Sequence, residues 1–138
     1  MIDNQAARVL AFERKAKRVA QAVRGGNLRD IPEEYISVER TFMAPMSAYS
    51  SSPDECSGNP NVTASGARTH WGTVASSSNL PFGTKLRIKD IDPDAIFTVE
   101  DRGGAIQGNR LDIWYPSKAA ALQFGRRTLE VEVLSLGI

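Results

Sequence analysis

The chain has 138 residues and a mass of 15.0 kDa, which is enough for one domain with its own hydrophobic core. Its 17 Lys and Arg residues nearly balance its 16 Asp and Glu residues, so the net charge of +1 predicts no general attraction to nucleic acid or to an anionic membrane. A single cysteine and a single histidine exclude an intrachain disulfide, a cysteine-rich zinc site and a multi-histidine metal centre.

No apolar run approaches the roughly 18 residues that a membrane-spanning helix needs, so no stable membrane span is expected. The first thirty residues lack the apolar core of a secretory signal, because their longest apolar stretch covers only residues 9–12. The protein therefore either stays inside the cell or has lost an export signal. No group of ligand residues has metal-binding spacing, and neither a metal nor another cofactor is expected.

Residues 4–24 predict one helix, because apolar residues recur there with a period close to 3.6 and Gly25-Gly26 follows. Residues 1–30 contain seven Lys or Arg against three Asp or Glu, a local excess of +4. We interpret this helix as a linker or capping element with a solvated basic face; an amphipathic helix on an anionic surface is the alternative. The predicted division is an N-terminal helix and linker over 1–37 and a β domain over 38–138.

From residue 38 the sequence favours short strands separated by turns. Strands are expected at 38–49, 71–75, 85–89, 96–101, 110–114 and 129–134. Pro45 places an edge or a bulge in the first strand, and residues 92–94 (Asp-Pro-Asp) predict a turn before the fourth. A loop is expected over 50–66, and one short helix over 117–124 ends at Gly125. The pattern predicts a mainly β fold, a small barrel.

Residues 99–114 carry the pattern that is most informative about chemistry. Asp101 and Asp112 flank a turn whose residues tolerate positive φ and so bring the two strands together: Gly103, Gly104, Gly108 and Asn109. Two carboxyl groups in one cleft repel each other, so the pKa of one should rise and leave it protonated beside an ionised partner, as cleavage of a glycosidic bond requires. The alternative is that both aspartates merely cap the turn and pair with Arg102 or Arg110.

Six segments between residues 46 and 134 resemble the 3D domain, a family named for three aspartates that includes membrane-bound lytic transglycosylase A and the stationary-phase survival proteins. The segments are 46–49 (MSAY), 63–66 (TASG), 80–84 (LPFGT), 100–106 (EDRGGAI), 108–113 (GNRLDI) and 121–125 (ALQFG). The barrel is also similar to that of rare lipoprotein A, which shares Leu-Pro-Phe-Gly-Thr and Asp-Arg-Gly. The resemblance implies a six-stranded double-psi β-barrel that acts on peptidoglycan glycan strands in the cell envelope or outside the cell.

Family enzymes cleave the bond between N-acetylmuramic acid (MurNAc) and N-acetylglucosamine (GlcNAc) without water, leaving a 1,6-anhydro ring. The resemblance implies that Asp112 is the acid/base and Asp101 its partner. Arg102 departs from the small residue common there in the transglycosylases, though it matches rare lipoprotein A, and its guanidinium should lower the pKa of Asp101 and keep it ionised. By motif or position, the further candidate substrate contacts are Thr63, Ser65, Trp71, Ser76, Ser77, Arg102, Gly103, Gly104 and Asn109.

The first family aspartate is absent from this chain. Its position falls on Ser76 or Ser77, and a serine hydroxyl can bond a sugar but cannot carry the negative charge. Asp54 and Glu55 in the preceding loop are the alternative carboxylates. A lytic transglycosylase is therefore the first hypothesis, and a non-catalytic glycan-binding or structural barrel is the second.

Two further groups of residues each allow two interpretations. Trp71, Trp114 and Tyr115 form either a platform for sugar rings or ordinary packing. Three alternating cations on one strand (Lys85, Arg87 and Lys89) form either a solvated face or a binding strip for anionic glycan.

Overall fold

The computed structural model describes residues 3–51 and 61–137. Its strands are β1 (Ile36–Tyr49), β2 (Thr73–Ser76), β3 (Lys85–Ile88), β4 (Asp92–Asp101), β5 (Leu111–Trp114) and β6 (Arg127–Leu136). Its helices are α1 (Asn4–Gly25) and α2 (Lys118–Phe124), and two 3-10 turns (Leu28–Asp30 and Glu33–Tyr35) join α1 to β1. The prediction of a mainly β chain with an N-terminal helix is confirmed.

The six strands close into a barrel in the order β1-β5-β2-β4-β3-β6. The β1–β5 and β2–β4 pairs are parallel and the other four pairs are antiparallel. Alternate residues of each strand fill the interior, as Leu129, Val131 and Val133 do in β6. The closed six-stranded barrel was predicted, and this mixed topology is consistent with the double-psi arrangement.

The prediction of a turn at residues 92–94 is wrong, because these residues belong to β4. The chain turns over residues 89–91 instead, and Ile88 pairs with Asp92, so the Asp-Pro-Asp residues open β4. Between this pair and the next, β4 bulges away from β3, and the bulge accommodates Pro93 outside the regular ladder. Within the bulge, Ala95 bridges to Asn27 of the segment that follows α1. Tertiary pairing thus overrides the local turn preference.

Pro45 and Gly125 occupy the positions that the sequence predicts for them, at an edge of β1 and at the end of α2. Pro45 pairs with Thr128 of β6, but pairing with β5 begins only at Met46, so one side of β1 is still an edge at the proline. Helix α2 begins after Ser117, whose hydroxyl accepts from the amide of Ala120, and ends before Gly125.

Helix α1 is attached to the barrel through its second half alone. Val19 and Ala22 are buried against Leu28, Ile31, Ile96 and Leu134, which form a second, smaller core cluster. Gly26 ends the helix in the left-handed conformation, with φ of 71°. The first half of α1 is solvent-exposed, including Phe12 at 54%. The linker interpretation and the division at residue 38 remain predictions.

The three cations of the predicted strip contact acceptors on neighbouring strands, although Lys89, just after β3, is largely exposed. Arg87 donates to the buried Glu132 through Nε at 2.8 Å and Nη2 at 3.2 Å, and Lys89 Nζ lies 3.6 Å from the same carboxylate. Lys85 donates to Thr98 Oγ1 at 3.1 Å, and burial lowers the pKa of Lys85. Lys85 and Arg87 are thus engaged within the barrel, whereas Lys89 is largely exposed, and for it the solvated and the glycan-binding interpretations both remain predictions.

Replacing Glu132 by Gln should destabilise the barrel by about 1–3 kcal/mol at neutral pH, because a charge-assisted pair is lost. The hydrogen bond from Arg87 holds the pKa of Glu132 below its usual range. The stabilisation of the folded state by ionised Glu132 is therefore complete above the unfolded pKa of about 4.3. It disappears as the pH falls through the lower pKa of the folded state. Urea unfolding at pH 7 and at about pH 3 should show the difference from wild type shrinking on acidification.

The matched control for this prediction is Glu130→Gln, since Glu130 is an exposed glutamate on the same strand. Its effect should stay within about 0.5 kcal/mol at either pH. An equal loss in both variants would show that the Arg87 pair contributes nothing.

Candidate functional site

A row of four residues crosses four neighbouring strands of the barrel. Ser47 pairs with Asp112, Asp112 pairs with Ala75, and Ala75 pairs with Asp101 on its other side. Residues that are directly opposite in a sheet point to the same face, so both aspartates lie on one outer face. With strands about 4.8 Å apart, their Cα atoms are about 10 Å apart. We call these four residues the aspartate row.

Asp112 lies at the second position of β5 and is half-buried. Its Oδ1 accepts a hydrogen bond from Ser47 Oγ at 3.1 Å. The adjoining positions of β5, Leu111 and Ile113, are buried in the core and fix the strand on which Asp112 stands.

Asp101, at the end of β4, accepts hydrogen bonds from three donors. Tyr49 Oη donates to its Oδ2 at 2.8 Å, and the backbone amides of Ala64 and Arg102 donate to its Oδ1, each at 2.9 Å. Through Ala64, this carboxylate ties the loop after residue 61 to the barrel. Both carboxylate oxygens of Asp101 act as acceptors in these three hydrogen bonds, and the three bonds together hold the side chain in one orientation.

Strand β1 connects the two aspartates. Ser47 and Tyr49 alternate onto the same face of β1, where Ser47 contacts Asp112 and Tyr49 contacts Asp101. Both residues belong to the family segment 46–49, but no role was predicted for either. The period-two alternation of residues 46–49 indicates that Ser47 and Tyr49 share a face of β1. It could have pointed to the aspartates only if the pairing of β1 with β5 had been known.

Thr63 and Ser65 lie on the loop that Asp101 holds. Their hydroxyls are 3.0 Å apart, and the amide of Ser65 donates to the carbonyl of Glu100 at 3.0 Å. Thr63 is buried while Ser65 is exposed. The structure therefore places both beside Asp101, with Ser65 the more accessible to a ligand.

The guanidinium of Arg102 is directed away from the Asp101 carboxylate. Its Nη1 donates to Ser76 Oγ at 3.1 Å, its Nη2 donates to the carbonyl of Leu80 at 2.8 Å, and it stacks 4.1 Å from the centre of the Phe82 ring. Successive side chains of an extended chain point to opposite faces, which separates Arg102 from Asp101. Among residues 3–51 and 61–137, neither Arg102 nor Arg110 forms an ion pair with Asp101, so the expected charge pairing there does not form.

The two serines at the position of the missing aspartate are used internally. Ser76 is 1% exposed, donates to the carbonyl of Ser77 at 2.8 Å and accepts from Arg102. Ser77 donates to the carbonyl of Gly108 at 2.9 Å and so holds the glycine-rich turn. Burial closes Ser76 to a ligand, contrary to its assignment as a substrate contact. Asp54 and Glu55, the alternative carboxylates, lie outside the described residues.

The glycine-rich turn needs left-handed backbone at one residue, not four. Gly108 has a φ of 61°, whereas Gly103, Gly104 and Asn109 do not adopt positive φ. At Gly103 the backbone runs close to Ile106, since a Cβ there would lie 3.0 Å from its Cγ1 and would require that side chain to shift by a few tenths of an ångström. Gly103, Gly104 and Asn109 are exposed at the turn.

The three candidate aromatics separate into two groups. Trp71 packs edge-on against Tyr115 with ring centres 5.0 Å apart, and its Nε1 donates to Asp92, at the opposite end of β4 from Asp101. The structure therefore does not bring Trp71 to the aspartates. Its ring packs against Tyr115 but is still 39% exposed, so the platform interpretation stays a prediction. Trp114 follows Asp112 by two residues on the same face and donates to Ser51 Oγ at 2.9 Å.

A further carboxylate next to Asp101 was not singled out by the sequence analysis. Glu100 Oε1 lies 2.6 Å from His70 Nε2 and 3.3 Å from Thr73 Oγ1. The register shifts here, because Val74 pairs with Val99 but Ala75 pairs with Asp101, so Glu100 is the bulged residue. A bulge has no reliable sequence signal.

Within the described part of the chain, no three His, Cys, Asp or Glu side chains are grouped so that they could hold a metal ion. None of the helices described there is long and apolar enough to cross a membrane.

Comparison with protein families matches residues 73–135 to the 3D domain. These residues run from β2 into β6 and include both aspartates.

Two curated proteins of Bacillus subtilis (strain 168) are similar to the chain. The putative cell wall shaping protein YabE is 27% identical over 104 residues, 72% of this chain and 24% of that protein. The cell wall-binding protein YocH is 38% identical over 56 residues, 41% of this chain and 18% of that protein. The chain thus spans about a quarter or less of the length of these relatives.

Among solved structures, the crystal structure of MltA from E. coli is similar over 60% of this chain and 30% of its own, with 26% identity and a TM-score of 0.47. An apo form of a substituted E. coli lytic transglycosylase MltA is similar over 61% of this chain and 30% of its own, with 22% identity and a TM-score of 0.45.

Proposed function

We propose that the chain is a lytic transglycosylase that cleaves MurNAc–GlcNAc bonds in peptidoglycan, since residues 73–135 match the 3D domain. The observation that carries this proposal is the aspartate row, in which Asp101 and Asp112 flank Ala75 on one face. The similarity to proteins that are named for cell wall shaping and cell wall binding supports the same substrate. The proposed location is the cell envelope or the exterior of the cell.

The two carboxyl groups differ in how they are held, and we assign their roles accordingly. Asp101 is fixed by three donors and acts as the charged partner that orients the site. Asp112, which accepts from the hydroxyl of Ser47, is the acid/base. Only one proton-transferring group is required, because no water has to be activated.

In the proposed reaction, the protonated carboxyl of Asp112 gives its proton to the glycosidic oxygen as the bond from that oxygen to C1 of MurNAc breaks. Positive charge then develops at C1, near the carboxylates of the row. The C6 hydroxyl of the same sugar attacks C1, and the Asp112 carboxylate takes the hydroxyl proton. The products are a GlcNAc end with a free hydroxyl and a 1,6-anhydro MurNAc end, and the enzyme regains its starting protonation state.

A second candidate function is glycan binding without cleavage. The observation that favours it is the use of Ser76 and Ser77 in internal hydrogen bonds at the position of the first family aspartate. A barrel that lacks one of three carboxylates retains a surface for sugar but has less negative charge to stabilise an oxocarbenium-like centre.

The test is to incubate the full chain with purified peptidoglycan and to analyse the soluble products by mass spectrometry. We expect muropeptides that end in 1,6-anhydro MurNAc, lighter by one water than the products of hydrolysis. Sedimentation of the chain with the polymer without any soluble product would contradict cleavage and support the binding function. Reducing-end MurNAc products would instead indicate a hydrolase.

A further inference from the structure

A pocket of about 220 Å³ lies where β5 and β6 begin, beside the C-terminal half of β1. It is lined by Pro45, Met46, Arg110, Arg126, Arg127 and Thr128. Met46 pairs with Leu111 on one side and with Arg127 on the other, so the pocket occupies the corner between the two strand starts. We call it the arginine pocket.

The arginine pocket concentrates the positive charge of three arginines. Within residues 3–51 and 61–137, none of its three arginines forms an ion pair with a carboxylate. Arg127 stacks instead over the ring of Phe124, at 5.3 Å. Guanidinium groups that share a small pocket repel each other, and an oxyanion between them would remove that repulsion. Their planar donor pairs match the geometry of carboxylate and phosphate.

The arginine pocket also adjoins the aspartate row. Arg110 precedes Asp112 by two residues, which corresponds to about 7 Å along an extended chain. On the neighbouring strand, Met46 of the pocket immediately precedes Ser47, which donates to Asp112. An anion held here would therefore lie within one sugar unit of the proposed acid.

We propose that the arginine pocket binds an oxyanion carried by the wall polymer and so positions the glycan along the aspartate row. This inference rests on the proposed function for the identity of the polymer. Two groups on bacterial wall polymer have the required chemistry: the carboxylates of the peptide attached to MurNAc and the phosphates of polymers linked to the glycan. The chemical class, a carboxylate or phosphate oxyanion, is common to both.

The test is an NMR titration of the full chain that follows the arginine Nε–H resonances. N-acetylmuramyl dipeptide is the carboxylate probe and glycerol 3-phosphate is the phosphate probe. We expect the resonances of Arg110, Arg126 and Arg127 to shift with at least one probe, and the probe that binds identifies the source. The pocket variant R110Q/R126Q/R127Q should bind that probe at least about tenfold more weakly than wild type.

The matched control is R8Q/R14Q/K15Q, which removes the same number of charges from the exposed half of α1 and should change affinity by less than about twofold. The single variant Arg126→Gln provides a second, milder change at an exposed residue should the triple variant fold poorly. Absence of shifts with both probes, or equal weakening in pocket and control variants, would overturn the inference. Neither outcome depends on cleavage. Shifts without any anhydro product would refute the proposed function and keep the anion site. Anhydro product without shifts would refute the anion site and keep the proposed function.

Discussion

Asp112→Asn should lower the rate of 1,6-anhydro product formation by about 10²–10⁴-fold, the usual contribution of a general acid/base. The amide has nearly the shape of the carboxyl and can still accept from Ser47 through its oxygen, but it cannot release a proton to the glycosidic oxygen. Sedimentation with peptidoglycan and the urea midpoint should both stay close to wild type. The rate is followed by mass spectrometry of soluble muropeptides over time.

The matched control is Asp90→Asn, because Asp90 is an exposed aspartate in the turn between β3 and β4, outside the aspartate row. It should leave the rate within about twofold of wild type. If Asp112→Asn kept full activity, the acid would have to be another group, and the assignment of roles in the aspartate row would fail. If only binding were lost, Asp112 would be a sugar ligand rather than an acid.

The elements of this fold could be predicted because their signals are local. Residues 4–24 carry a helical period with glycine after it, and α1 ends where that pattern stops. The alternation of Leu129, Val131 and Val133 predicted both the existence and the buried face of β6. Where a local signal and a tertiary contact disagreed, as at residues 92–94, the contact determined the structure.

The candidate site was only partly predictable, because most of its contacts join distant segments. Asp101 and Asp112 share one turn, so their spacing of eleven residues pointed to a common cleft. Tyr49 lies 52 positions before Asp101, and Ala64 lies 37 positions before it. Such partners follow from barrel closure and not from any local pattern. The hydrogen bond from Trp71 to Asp92, which places Trp71 far from the aspartate row, is a contact of the same kind.

Asp101→Ala should destabilise the protein by about 2–4 kcal/mol, measured by urea unfolding at neutral pH. The substitution leaves three donors without their acceptor, and the hydroxyl of Tyr49, a residue only 8% exposed, has the least access to replacement water. Ala64 is exposed, so losing the hydrogen bond from its amide to Asp101 should release the loop more than it weakens the core. Asp90→Ala, the exposed control, should cost less than about 0.5 kcal/mol.

Asp101→Asn distinguishes support of the fold from a role in the chemistry. Its amide oxygen still accepts from both backbone donors, and its nitrogen can donate to the Tyr49 oxygen, so stability should fall by only about 1 kcal/mol. Because the negative charge is gone, the rate should fall well beyond what the lost stability explains. Tyr49→Phe supplies the opposite case, since it removes the hydroxyl that donates to Asp101 but keeps the negative charge of Asp101, and it should change stability more than rate. A parallel loss of stability and rate in all three variants would mean that Asp101 only anchors the loop, leaving Asp112 to work without a charged partner.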